Sequence, residues 1–148
     1  MKRTDIQPIF MDGFESREDL INNFQGETYS MEANEGRGGY IPDPDNIIKD
    51  GFHVLFAIYE QEAYEGSAFV LIGRDGKLFE VNGSHCSCMG LEGQWEEEET
   101  TVEALRHRME KGELGKESEW DYENHVYKYK DKFGAVLEAQ LVLWETAE

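Results

Sequence analysis

Residues 52–83 restrict the fold more than any other part of the chain. They hold three strand-length runs, FHVLFAIYE (52–60), SAFVLIG (67–73) and KLFEVNG (77–83), rich in aromatic and β-branched residues. QEAYEG joins the first two runs. Asp75-Gly76 joins the second two, and this dipeptide favours a two-residue type I′ hairpin, which needs positive φ at both central positions. An antiparallel meander is expected. Its first two strands are apolar almost throughout, so both faces of the sheet need cover. In the third strand Leu78 and Glu80 share one face, Phe79 and Val81 the other.

Helical punctuation brackets this meander. Over 16–25, Ser16 can cap, Glu18 and Asp19 suit the first turn, and Leu20, Ile21 and Phe24 form an apolar stripe before Gly26. Over 100–111, Thr100 and Glu103 have capping-box spacing, while Val102, Leu105 and Met109 form the stripe. GAVLEAQLVLWE is apolar nearly all round and reads as a helix over 135–145, with a strand as the alternative. HVYKYKDKF alternates like a half-exposed strand with Tyr127, Tyr129 and Phe133 on one face. Between 27 and 50, glycines and prolines predict a long irregular loop, and its EGRGG reads as a turn, not a phosphate cradle. The expectation is one α+β domain over 1–148: an antiparallel sheet of three to five strands with two or three helices.

Charge narrows the function. The 148 residues carry 32 Asp and Glu against 14 Lys and Arg, a net −18, where solubility needs a magnitude of only about 2–8. Such a chain repels nucleic acid and anionic membranes and attracts basic proteins. No apolar run reaches the ~20 residues of a membrane span, and the N-terminus lacks a signal-peptide pattern. Two cysteines two positions apart make no secreted disulfide framework, which points to a reducing cytoplasm. Between 92 and 123, twelve acidic residues face four basic ones. Aromatics interleave with them, the combination of steering and anchoring that binding surfaces use. The candidate partner-binding residues are Glu92, Trp95, Glu96, Glu97, Glu98, Glu99, Glu103, Glu117, Glu119, Trp120, Asp121 and Glu123.

His85-Cys86-Ser87-Cys88 raises the question of a metal. Two thiolates and an imidazole suit zinc, and a structural site takes four ligands. The fourth would come from His53, His107, His125 or a carboxylate, with His107 the best placed in sequence. An extended chain puts Cys86 and Cys88 on one face and His85 on the other, so convergence needs a turn, which Gly83 and Gly90 allow. A strained C-x-C disulfide is disfavoured in a reducing compartment. A catalytic thiolate is disfavoured beside the glutamates at 96–99. The favoured reading is two buried, inert thiols at a strand end. No G-x-S-x-G elbow or other coherent catalytic constellation is present, so the chain reads as a binder rather than an enzyme.

YEGSAFVLIGRDGKLFEVNGSHCSCMGLEGQWEEEETTVEALRHRM resembles a group of small phage and prophage proteins that share a DGKLFEV hairpin, NGSHCSC, GLEGQW and a short capped helix. The resemblance spans 64–115. It implies a phage-type accessory protein working in bacterial cytoplasm. With the charge, this leads to the expectation of an inhibitor that occludes a basic host protein, such as a nucleic-acid-binding enzyme, by nucleic-acid mimicry and without a cofactor. A small zinc protein is the alternative. A structural or virion-associated protein, dimerising through an edge of the meander, is a third.

Overall fold

The computed structural model describes residues 1–87 and 89–148. Four helices and nine strands are present among them, an α+β fold. The chain divides into two compact units, Pro8–Glu99 and the combination of Met1–Gln7 with Thr100–Glu148.

The first unit is built on the meander. Strands β4 (His53–Glu62), β5 (Glu65–Arg74) and β6 (Lys77–His85) pair antiparallel. The β5–β6 turn is the two-residue Asp75-Gly76 loop, with φ of 52° and 76°. The expectation of a purely antiparallel sheet is corrected by β1 (Ile9–Asp12), which lies parallel to β4. A parallel neighbour cannot be reached by a tight turn, and the chain between β1 and β4 supplies the crossover. With β7 (Glu98–Thr100), the order in this mixed sheet is β1-β4-β5-β6-β7.

Helix α1 (Arg17–Phe24) starts where the sequence indicated, with the Ser16 hydroxyl accepting from the Asp19 N–H at 3.1 Å. Its Leu20 and Phe24 join Phe14, Phe52, Val54, Ala57, Tyr59, Val70, Val81, Leu91 and Trp95 in one core. The opposite face of β4 and β5 is buried as well, at Leu55, Phe56, Ile58, Phe69 and Leu71. The segment 27–50, expected as irregular loop, contains a hairpin instead: β2 (Glu27–Ser30) and β3 (Gly39–Pro42) pair antiparallel around a single turn, α2 (Ala33–Gly36). Left-handed φ at Asn34, Glu35, Gly36 and Gly38 reverses the chain there.

The second unit holds α3 (Val102–Lys111), the hairpin β8 (Lys116–Asp121) and β9 (Val126–Asp131), and α4 (Gly134–Thr146). The cap of α3 is Thr101, whose hydroxyl accepts from the Ala104 N–H at 3.0 Å, one residue after the expected Thr100. Helix α4 resolves the helix-or-strand alternative over 135–145. Its buried Leu137, Gln140, Leu141 and Trp144 follow helical spacing, and the Gln140 amide donates to the Gln7 carbonyl at 2.9 Å. Arg106 of α3 makes ion pairs with both Glu138 and Glu145 of α4.

Candidate functional site

A β-bulge in β4 arranges the residues around His85. The register against β5 slips between Val54 and Phe56. The extra residue reverses the alternation, so that Ala57 and Tyr59, rather than Phe56 and Ile58, join the core beside α1. Tyr59 then pairs laterally with Ala68, and Ala68 with Gly83; in the next row Gln61 faces Gly66, and Gly66 faces His85. The glycine makes the arrangement fit, since a Cβ on Gly66 would lie in the His85 ring.

The Tyr59 hydroxyl is 2.5 Å from His85 Nε2, and the Gln61 amide donates to the same hydroxyl at 3.1 Å. His85 Nδ1 is 3.0 Å from the Cys86 carbonyl oxygen. A carbonyl only accepts, so Nδ1 carries the proton in this network and Nε2 accepts from Tyr59. Burial pushes the Tyr59 phenol above its ordinary value, partly offset by the Gln61 N–H and reinforced by the charge of Glu92. The phenol is therefore a neutral donor, as the network requires.

This geometry changes the reading of HCSC. Both ring nitrogens of His85 are engaged in hydrogen bonds in this network. Cys86 lies beyond the end of β6 and is exposed, not the buried strand-end thiol that was expected. Cys88 lies outside the described residues. His107 is exposed on α3. Among the described residues no three His, Cys, Asp or Glu side chains gather as a metal-binding group.

The glutamates that follow divide by role. Glu97 is paired with Arg74 through two contacts of 3.0 and 3.1 Å, and it accepts the Trp95 indole N–H at 3.0 Å. Trp95, proposed as an anchor, is a core residue at 8% exposure, packed against Phe24 and Phe52 at 5.3 Å. Its large apolar surface is already buried, so it cannot anchor a partner. Glu99 pairs with Lys77 at 3.5 Å, while Glu92, Glu96 and Glu98 are exposed. Strand β7 is an edge of the sheet, and charge on an edge strand prevents pairing with another chain. That role accounts for part of the run.

The remaining candidates lie in the second unit: Glu103 exposed on the first turn of α3, the others on or beside the β8–β9 hairpin. The register Glu117↔Lys130 and Glu119↔Lys128 puts acidic and basic residues opposite one another on one face. Ser118↔Tyr129 and Trp120↔Tyr127 occupy the other. Lys128 reaches Asp121 at 2.8 Å and Lys130 reaches Glu117 at 3.8 Å. Lys128 and the Asn124 amide hold the Asp121 carboxyl down to about 2. Two of the three carboxylates of β8, Glu117 and Asp121, are thus paired with lysines of β9. What remains conspicuous is aromatic: Trp120, Tyr127 and Tyr129 lie exposed on one face, and Tyr122 is 82% exposed in the turn. The alternating VYKYKD already separates tyrosines from lysines, but only the pairing shows that Lys128 and Lys130 reach Asp121 and Glu117 of the preceding strand. The β2–β3 hairpin carries a second exposed aromatic pair, Tyr29 and Tyr40, with ring centroids 5.5 Å apart. That pair was hidden in the expected loop.

Charge is divided unequally. Pro8–Glu99 contains 20 acidic and 5 basic residues, a net −15, whereas the other unit contains 12 and 9, a net −3. No helix among the described residues is long and apolar enough to cross a membrane. No protein-family model matches the sequence, and comparison with curated proteins and with solved structures yields no match.

Proposed function

We propose that this protein is a stoichiometric binder of a basic partner protein, held through the acidic surface of the Pro8–Glu99 unit. The observation that carries this reading is the concentration of net charge, −15 of the total −18, on that unit. Self-repulsion of that size costs stability, and neither core packing nor solubility calls for it. Glu92, Glu96 and Glu98 are exposed, and a dense array of carboxylates resembles the spaced phosphates of nucleic acid as seen by a basic groove. The resemblance to phage and prophage proteins supports a host nucleic-acid-binding enzyme as the partner and occlusion of its groove as the mechanism. No reaction and no cofactor enters this reading.

The test is capture of partners from bacterial lysate by the tagged protein, washed at low and high salt, alongside a Glu96→Lys, Glu98→Lys variant. Glu97 is left intact because its pairing with Arg74 is structural. The expected result is a basic, nucleic-acid-binding protein retained at low salt, released as salt screens the contact, and bound at least about tenfold more weakly by the variant, a loss of about 1.4 kcal/mol. Capture of that protein undiminished in the variant and insensitive to salt would overturn the proposal.

A further inference from the structure

The tip of the β8–β9 hairpin carries a feature that net charge does not explain. A concavity of about 350 Å³ there is lined by Glu119, Trp120, Asp121, Tyr122, Glu123 and Lys128. Two of these are aromatic rings set nearly at right angles, Trp120 and Tyr122, with centroids 6.5 Å apart and an interplanar angle of 88°. Tyr127 packs edge-on against Trp120 at 4.9 Å, which fixes the indole across the hairpin. Both lining rings retain substantial exposure, 37% for Trp120 and 82% for Tyr122.

We infer that this concavity receives an arginine side chain from a basic segment of a partner protein. The inference rests on the reading of a basic partner given above, and assigns it a point of recognition on different residues. Three features of the lining select this chemistry. An indole and a phenol present electron-rich faces that attract a cation, and a guanidinium also stacks on such rings. Lys128 is already paired with Asp121, so the cation in the lining is locally neutralised. Glu119 and Glu123, outside the ion pairs of the hairpin, then leave the lining net negative, which disfavours an anionic occupant. The volume lies at the low end of ligand clefts, about 300–1,000 Å³, and suits a side chain better than a large ligand. The turn is held in place without an occupant, because the Asp121 carboxylate accepts from the Glu123 and Asn124 N–H groups and from the Asn124 amide.

The test uses the full chain and its own tryptophan. Trp95 and Trp144 are buried at 8% and 6%, so changes in solvent-exposed indole report on Trp120. Acetyl-Gly-Arg-Gly-amide is titrated at constant ionic strength and compared with the same peptide carrying citrulline, which keeps the shape and loses the charge. The readouts are indole emission and the Trp120 indole N–H resonance. The expected result is saturable binding of the arginine peptide, at least about tenfold tighter than citrulline, weakened severalfold in a Glu119→Gln, Glu123→Gln variant that leaves the Lys128–Asp121 pair intact. Equal response to the two peptides, no saturable response, or an unchanged affinity in the glutamine variant overturns the site. If the tip fails while lysate capture still depends on Glu96 and Glu98, the acidic surface stands and the arginine pocket falls. Failure of capture with a specific peptide response separates the two in the opposite direction.

Discussion

At the scale of single residues, neighbours decide what a charged or polar group contributes. Glu96 and Glu97 are adjacent and chemically identical, yet one is exposed and the other links Arg74 to the Trp95 indole. Asp121 shows the same dependence in a form that pH can probe. Its carboxyl sits at about 2, below the ordinary 3.8, because Lys128 and Asn124 favour the ionised form. A depressed carboxyl stabilises the folded hairpin fully above its unfolded value and loses that contribution as pH falls through the folded one. The Trp120 environment should therefore change between about pH 4 and pH 2 in the native protein. Asp121→Asn should remove that transition, as followed by indole emission across an acid titration. A Trp120 signal flat through that window in the native protein would contradict the assignment.

At the scale of elements, a single extra residue in β4 organises the Tyr59–His85 network. The bulge puts Tyr59 on the core face, and Gly66, opposite His85, leaves space for the His85 ring. Gly66 matters for its missing Cβ rather than for its backbone freedom, since it is not among the residues with positive φ. Gly66→Ala should drive His85 off the Tyr59 hydroxyl and leave a buried donor without its acceptor, at a cost of about 1–3 kcal/mol. His85→Ala should cost a similar amount. The double variant should fall close to either single one, because both remove the same hydrogen bond. Urea unfolding of the four proteins measures this, and strict additivity would show that the two residues act independently.

At the scale of the whole molecule, charge is distributed by unit rather than spread over the surface. The Pro8–Glu99 unit carries a net −15 on a core that includes both faces of an apolar sheet. Self-repulsion of that size should relax as counterions screen it, with a Debye length falling from about 10 Å at 0.1 M to about 3 Å at 1 M. Amide hydrogen exchange at low and high salt should show protection rising more across residues 8–99 than across 100–148, where the net charge is −4. Equal responses in the two segments would mean that local ion pairs such as Arg74–Glu97 and Lys77–Glu99 already absorb the repulsion.

Much of this architecture was legible in the order of residues alone. Alternation and apolar runs specify β4 to β6, the Asp75-Gly76 turn and the helices near 16–25 and 100–111, because backbone preference and side-chain periodicity act within a few residues. Residues 135–145, apolar nearly all round, stay open between helix and strand. The parallel pairing of β1 was not legible, since strand partners across a long connection are chosen by packing and not by neighbours in sequence. Nor was the fate of individual candidate residues. Trp95 and Trp120 both stand among acidic residues, but one fills the core and the other lies exposed at a hairpin tip. Glu117 and Asp121 look like an acidic surface until β9 folds back and brings Lys130 and Lys128 within reach of them. The sequence by itself determined the total charge, the central meander and the helices near 16–25 and 100–111. Only the tertiary structure decided which charges are neutralised and which aromatics remain in solvent, because both depend on what the chain brings alongside from far away in sequence.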